Sequence, residues 1–246
     1  MNRKAQAALL FLLGVVVVHA SDTHLYLRYV KAGLGPLLRT AGIVLIVTAL
    51  VTVWYELRRS RAPQDDRSDG DHDGPYEHEH AHHEPRVSWL LVLPLLALIL
   101  IAPPALGSYS AERTGTVLRP PPGFPTLPAG DPLRLGVIDY ADRAVFDHGR
   151  SLNGRRIELT GFITTDRSGT AYLTRMVLNC CAADAQPVKV GLSGQVPPVI
   201  QPDAWLDVTG TYTTQQIKDP INGGPIPFIN ITQAKSVPTP ADPYDT

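Results

Sequence analysis

The two cysteines of the chain, Cys180 and Cys181, are adjacent, and Asp184 follows in the same short stretch. Thiolate sulfur is a ligand for zinc or copper(I), and a carboxylate can join such a ligand set. The three residues therefore predict a metal site, with zinc as the candidate ion, or a redox-sensitive thiol pair. The alternative is that one cysteine is simply a small buried core residue. A disulfide between sequence neighbours would be strained, so no structural bridge is expected.

The position of this pair is set by the segments around it. An apolar, strand-forming segment, Ala171–Asn179, precedes the cysteines, and a second strand is predicted at Pro187–Leu192. Adjacent residues of a regular strand point to opposite faces, so the two thiols can share one ligand only if the backbone leaves strand geometry. The small residues at 182–185 permit such a turn.

A second group of possible ligands lies in a polar segment, residues 64–86, which is rich in Asp, Glu and His and has no apolar periodicity. Its histidines are His72, His78, His80, His82 and His83. A tract of this composition predicts a flexible, weak trap for transition-metal ions such as zinc or nickel. The alternative is a solvated linker.

Three apolar runs precede the C-terminal half and predict a membrane α-helical region with three spans in residues 1–106. They are Ala5–Ala20, Pro36–Tyr55 and Val87–Leu106. The first run is either a retained helix or a signal peptide, since small Ala20 precedes Ser21. Basic residues directly after the second run place the histidine-rich loop in the cytoplasm. We therefore expect a multi-pass protein of the cell membrane, in contact with the lipid bilayer, with an extracytoplasmic C-terminal domain.

The remainder of the chain is predicted to be a proline-rich spacer, 107–130, and an all-β domain, 131–246, which begins with a short helix or two. Five strands are expected at Arg156–Thr165, Ala171–Asn179, Pro187–Leu192, Trp205–Thr213 and Pro227–Thr232. Gly161 and Gly210 each interrupt a strand where a barrel corner or bulge would need one. The pattern predicts a small barrel, and the segments RIELTGFI and WLDVTGTY are similar to the first and fourth strands of OB-fold proteins.

Charge and motif content exclude some functions. The formal net charge is -1, and no basic patch is interleaved with aromatic residues, so nucleic acid is not an expected partner. The sequence contains no CxxC motif and no recognisable nucleophile–base arrangement beside the cysteines. We expect a protein that is not an enzyme.

Several segments together carry a family resemblance: APPALGSYSAERTG, GRRIELTGFI, YLTRMVLNCCAADAQPVKV and PFINITQAKSV with the tail after it. With the three apolar runs, they resemble the YcgQ-like permease-subunit family over nearly the full length. The resemblance implies a bacterial membrane protein paired with a polytopic membrane permease. The expected function is an accessory subunit of that permease, with a link to metal-ion homeostasis or transport. The alternatives are a membrane-anchored thiol redox protein and a protein-binding adaptor without metal.

Overall fold

A computed structural model describes residues 3–59, 104–166, 168–197 and 201–245 of the 246-residue chain. Contacts divide these residues into two compact units. One contains the residues up to 23 together with 36–59, and the other contains 24–35 together with everything described from residue 104 onward.

The described part of the first unit is a pair of apolar helices, α1 (Arg3–Asp22) and α2 (Gly35–Arg59). They approach closely at Gly14 and Gly42, where a Cβ atom on Gly14 would lie 2.8 Å from the carbonyl oxygen of Gly42. Small residues allow this approach, which is common where apolar helices pack in membranes. Arg39 and Asp22 form an exposed ion pair with a distance of 3.6 Å.

The prediction of three membrane spans is corrected by these helices. Within the described ranges, one helix is long and apolar enough to cross a membrane, Ala32–Arg58, and it contains the predicted span Pro36–Tyr55. It fits a membrane anchor or an N-terminal signal sequence. The run Ala5–Ala20 does form a helix, but its apolar stretch, Gln6–Asp22, is too short to meet the same criterion. The third predicted span, Val87–Leu106, falls outside the described residues except for its last three positions.

The second unit is built around seven β-strands, of which five close into a barrel. The strands are β1 (Leu133–Leu135), β2 (Arg156–Thr165), β3 (Ala171–Val177), β4 (Gln186–Gly194), β5 (Trp205–Lys218), β6 (Pro225–Ser236) and β7 (Tyr244–Asp245). The barrel runs in the order β2-β5-β6-β4-β3 and closes through pairing of β3 with β2. Neighbours are antiparallel except for β4 and β6, which are parallel. The predicted small barrel is therefore confirmed.

Side chains that alternate along the strands fill the barrel. In β2, Ile157, Leu159 and Ile163 are fully buried, and they pack with residues of the other four barrel strands. Helix α4 (Val137–Phe146) covers this core with Tyr140, whose hydroxyl donates to the carbonyl oxygen of Phe228 at 2.7 Å. A short helix, α3 (Ser108–Ala111), comes before it in the chain.

The two strand glycines lie where neighbouring backbones come too close for a side chain. A Cβ atom on Gly161 would lie 2.8 Å from the carbonyl oxygen of Thr174. One on Gly210 would overlap the carbonyl oxygen of Asn230, and the register of β5 and β6 shifts between Thr209 and Gly210. The bulge predicted at Gly210 is thus present.

Residues 104–130 also lie in the compact unit with the barrel. Leu118 and Leu127 pack against the barrel core, and the N–H of Val117 donates to the carbonyl oxygen of Pro187 at 3.0 Å. The structure therefore adds this proline-rich stretch, together with residues 24–35, to the domain expected at 131–246.

A buried ion pair holds the same stretch to the barrel. Lys189 lies 3.0 Å from Asp219, and their side chains are 7% and 0% exposed. The N–H of Thr116 donates to the same Asp219 oxygen at 2.8 Å. Burial alone would raise the pKa of Asp219, but the N–H groups of Ile221 and Thr116 and the Lys189 ammonium together hold it below its usual value.

We expect Asp219→Asn to lower the free energy of unfolding by about 3 kcal/mol, because it leaves the Lys189 charge buried without a counterion. The Asp219 carboxylate should stabilise the wild type above the unfolded pKa of about 4, and its contribution should be lost as the pH falls below that value. Chemical denaturation at several pH values measures both effects. The control is Glu158→Gln, which breaks an ion pair to the 82% exposed Arg134 and should cost less than about 1 kcal/mol. Equal losses in the two variants would contradict this account.

Candidate metal site at the cysteine pair

The cysteine pair lies in a tight turn between two barrel strands. Strand β3 ends at Val177, the backbone bends, and one turn of 3-10 helix spans Ala182–Asp184 before β4 begins. Cys180 is exposed and Cys181 is half-buried. The backbone thus departs from regular strand geometry after Val177. Because of this departure, the two adjacent thiols can face the same position.

The turn brings together the three side chains singled out from the sequence. The ligand atoms of Cys180, Cys181 and Asp184 all lie within 4.8 Å of one another. Around one zinc ion, ligand atoms at about 2.0–2.3 Å from the metal would stand roughly 3.5–3.8 Å apart. The Cys180 and Asp184 ligand atoms are already 3.1 Å apart, so small shifts within the turn would bring the three atoms to coordinating distance. The donor set of two sulfurs and one carboxylate suits zinc.

Asp184 is oriented by the backbone of the same turn. Its two carboxylate oxygens accept the N–H groups of Asn179 at 3.1 Å and Cys180 at 2.9 Å. The Cys180 thiol also donates to Asp184, with 3.1 Å between Sγ and Oδ2. These bonds hold the carboxylate beside the thiols before any ion arrives.

Hydrogen bonding also sets the charges in the turn. The Cys180 thiol and the N–H groups of Cys180 and Asn179 hold the pKa of Asp184 below its usual value. Donation to Asp184, with the Cys181 side chain next to it, raises the pKa of Cys180 to about 11. At neutral pH the free Cys180 is a thiol, and a thiol is a poor nucleophile.

Residues 29–31, which come before α2 in the chain, clamp the turn from outside. Val30 forms an antiparallel bridge with Cys181. The N–H of Lys31 donates to the carbonyl oxygen of Cys180 at 3.1 Å, and the N–H of Ala182 donates to that of Tyr29 at 2.7 Å. The turn is thereby held on two sides, by its own strands and by this distant segment.

The C-terminal tail reinforces the clamp. The Tyr244 hydroxyl donates to the carbonyl oxygen of Arg28 at 2.8 Å and accepts the N–H of Leu106 at 3.0 Å. Strand β7 is parallel to β3, and Arg175 of β3 binds Asp245 at 3.0 Å with both side chains nearly buried. Three separate parts of the chain thus meet beside the cysteine turn.

Comparison with known proteins places this unit in a family context. Residues 142–245 match the family model of the DUF1980 C-terminal domain. The match includes the five barrel strands, the cysteine turn and the tail, and it supports a DUF1980 or YcgQ-like family for this part of the chain. No curated protein and no solved structure matches the chain.

The sequence identified part of this site. It singled out Cys180, Cys181 and Asp184, which the DUF1980-like domain brings together. The other predicted ligands, His72, His78, His80, His82 and His83, lie outside the described residues. The sequence did not reveal the clamp by residues 29–31, and the β-forming Tyr29 and Val30 were its only local signal.

We expect Lys31→Pro to loosen the cysteine turn, because proline lacks the N–H that binds Cys180. The backbone φ of Lys31 is -54°, which proline adopts without strain. Hydrogen exchange in the segment containing the Ala182 amide should become faster, as measured by mass spectrometry. Lys31→Ala keeps the N–H and is the matched control, with exchange like the wild type. The clamp would be refuted if the proline variant exchanged no faster than the alanine variant.

Proposed function

We propose that the chain is an accessory subunit of a membrane permease and that its barrel domain holds an exchangeable zinc-like ion at Cys180, Cys181 and Asp184. The observation that carries the proposal is the convergence of two sulfurs and one carboxylate oxygen within 4.8 Å at the surface of the domain. The resemblance to the YcgQ-like permease-subunit family suggests the partner. The match to the DUF1980 C-terminal domain supports that family but does not test the partner.

The arrangement of the ligands favours exchange over permanent binding. All three come from one turn, and Cys180 is exposed. A structural zinc site has four protein ligands that enclose the ion, whereas three ligands leave one position open. An ion held here would therefore remain accessible to water or to a ligand from a partner. That accessibility suits a site that passes a metal ion to a channel-forming subunit.

The membrane assignment is a further part of the proposal. Helix Ala32–Arg58 would anchor the chain, and its apolar side chains, such as Val44 and Leu50, are more than half exposed. We place the barrel on the extracytoplasmic side and the histidine-rich loop, 64–86, in the cytoplasm as a weak second trap. We also propose that the barrel is OB-like, which its five strands and the parallel β4–β6 pair support.

A thiol redox function is the second candidate, because two adjacent thiols are accessible. The raised pKa of Cys180 disfavours the free thiolate through which thiol exchange proceeds, whereas a metal ion displaces the thiol proton when it binds. An adaptor without metal is the third candidate. It would use the same barrel surface for a protein partner and would need neither thiol.

Cobalt(II) titration of the full chain under reducing conditions tests the metal site. We expect thiolate-to-cobalt charge-transfer absorption that saturates at one ion per chain. The absorption reports sulfur ligands alone, so cobalt bound by the histidine-rich loop does not interfere. Cys180→Ser with Cys181→Ser should abolish the band and leave the melting temperature unchanged, because the turn is at the surface. Asp184→Asn should keep the band but weaken binding about tenfold.

The control for this titration is His148→Asn, which removes an exposed imidazole of the barrel domain elsewhere in the fold. His148 has a φ of 52°, and asparagine tolerates that conformation well. This variant should bind cobalt like the wild type. The absence of a charge-transfer band in the wild type, or a band that does not saturate at one ion per chain, would overturn the metal site. A large fall in the melting temperature of the double serine variant would instead assign the cysteines to the core.

Purification of the tagged chain from membranes tests the partner. We expect a polytopic membrane protein to copurify, and the double serine variant should retain it if the thiols bind metal but do not form the interface. A retained partner without any cobalt band in the wild type would favour the adaptor. Thiol-dependent turnover of a disulfide substrate, abolished in the double serine variant, would favour the redox function.

A further inference from the structure

A cleft lies between the proline-rich stretch and the connection from α4 to β2. It has a volume of about 480 Å³, and none of its described lining residues belongs to the cysteine turn. That lining falls entirely within residues 124–155, which the structure describes without a gap. Residues 124–127 form one side, and the other side is formed by Arg143, Asp147, Arg150, Ser151 and Arg155. Three guanidinium groups therefore line one cleft.

Arg143 forms the buried part of the cleft, with a side chain that is 3% exposed. Its Nε donates to Asp139 at 2.8 Å, and its Nη1 donates to the Ser151 hydroxyl at 3.2 Å. Its Nη2 donates to the carbonyl oxygen of Pro125 at 2.9 Å. Because these bonds reach both sides of the cleft, Arg143 fixes the proline-rich stretch beside the α4–β2 connection.

The other two guanidiniums keep N–H groups for a ligand. The Nε of Arg150 donates to Asp147 at 3.0 Å, and neither of its Nη groups has a partner among the described residues. The Nη2 of Arg155 donates to the carbonyl oxygens of Pro128 at 2.8 Å and Gly130 at 3.2 Å. Its Nε and Nη1 have no partner in the described part of the chain. A guanidinium has five N–H donors and no acceptor, so these free groups can bind only an acceptor.

The charges of the three arginines are only partly compensated. Arg143 forms an ion pair with Asp139 at 2.8 Å. Arg150 forms one with Asp147 at 3.0 Å. Arg155 donates to backbone carbonyls and has no ion pair with a described carboxylate, so its positive charge lacks a counterion within the lining.

Neighbouring carboxylates do not supply that counterion. Asp131 senses the charge of Arg155, but its ion pair is with Arg156 at 2.7 Å, so one carboxylate serves two arginines. Burial and the charge of Asp139 raise the pKa of Asp142 to about 6, and Asp142 forms no ion pair with a described arginine. The described part of the cleft therefore has an excess of one positive charge, which attracts an anion.

Phe124 and Leu127 give the cleft an apolar wall. Both side chains are half-buried, and Leu127 packs against the barrel core. The Phe124 ring centre lies 5.4 Å from the guanidinium carbon of Arg143, within the range of a cation–π contact. A ligand that covers this wall with its carbon atoms excludes water from the cleft, which strengthens its interaction with the neighbouring guanidiniums.

We propose that this cleft binds a small organic anion through a carboxylate or phosphate group. Both groups accept two parallel hydrogen bonds from one guanidinium, a geometry that suits the free donors of Arg150 and Arg155. A neutral ligand would leave the excess charge uncompensated, and a cation would be repelled. The site shares no residue with the cysteine turn, so it gives the barrel domain a second function that does not depend on metal.

The test uses the full chain in phosphatidylcholine nanodiscs, in Tris buffer from which metal ions have been removed. Binding of benzoate, phenyl phosphate and the neutral benzamide is followed by ligand-observed NMR up to about 10 mM. We expect saturable binding of at least one anion, about tenfold tighter than that of benzamide. The anion that binds more tightly identifies the preferred group. Its binding should weaken as sodium chloride rises from about 20 to about 200 mM, because salt screens exposed charges.

Variants locate the binding. Arg150→Gln removes an exposed guanidinium and should weaken binding of the preferred anion about fivefold. The matched control is Arg134→Gln, which removes the same charge outside the described lining. The Arg150 and Arg134 side chains are 78% and 82% exposed, and each is paired with one carboxylate. The control should bind like the wild type. Arg155→Gln should weaken binding about tenfold, because it removes the uncompensated charge.

Three results would overturn the proposal: no saturable binding of either anion, binding of benzamide as tight as that of the anions, or Arg150→Gln and Arg155→Gln both binding like Arg134→Gln. The variant with Cys180→Ser and Cys181→Ser should bind the preferred anion like the wild type. Failure here would therefore leave the metal site untouched, and failure of the metal site would leave this one untouched.

Discussion

The second structural unit depends on one strand, β2, pairing on both of its edges. Residues 156–162 of this strand pair with β5, and residues 162–165 pair with β3. Pairing of the second edge with β3 closes the barrel, and Gly161 lies just before that pairing begins, where the carbonyl oxygen of Thr174 leaves no space for a side chain. Closure also fixes the end of β3, and the cysteine turn begins there.

The cysteine turn combines accessibility with a fixed shape. Its ligand atoms lie at the surface, yet the backbone is held by Asp184 from within and by residues 29–31 from outside. A site on a free loop would lose conformational entropy each time it bound an ion. The clamp reduces that loss while leaving one side open, a combination suited to an ion that must be both held and released.

Buried ion pairs join the extremities of the unit to the barrel. Arg175 binds Asp245 of the tail, and Lys189 binds Asp219 of the β5–β6 connection together with residues 114–116. Such pairs cost desolvation, so their net contribution to stability is small, although removing one partner alone is costly. They join the tail and the β5–β6 connection to the barrel, while the apolar core of β2 to β6 supplies most of the folding free energy.

The sequence by itself determined what depends on neighbours in the chain. Alternating apolar residues predicted the barrel strands, and the interrupting glycines marked Gly161 and the bulge at Gly210, because strand geometry is periodic and local. Cys180, Cys181 and Asp184 could be grouped because they lie within five consecutive residues. Only the tertiary structure decided the parallel β4–β6 pair, the clamp of Val30 on Cys181 and the packing of Leu118 and Leu127 on the core. Backbone hydrogen bonds between distant segments use the same N–H and C=O groups in every residue, so the sequence carries no side-chain pattern that identifies the partner.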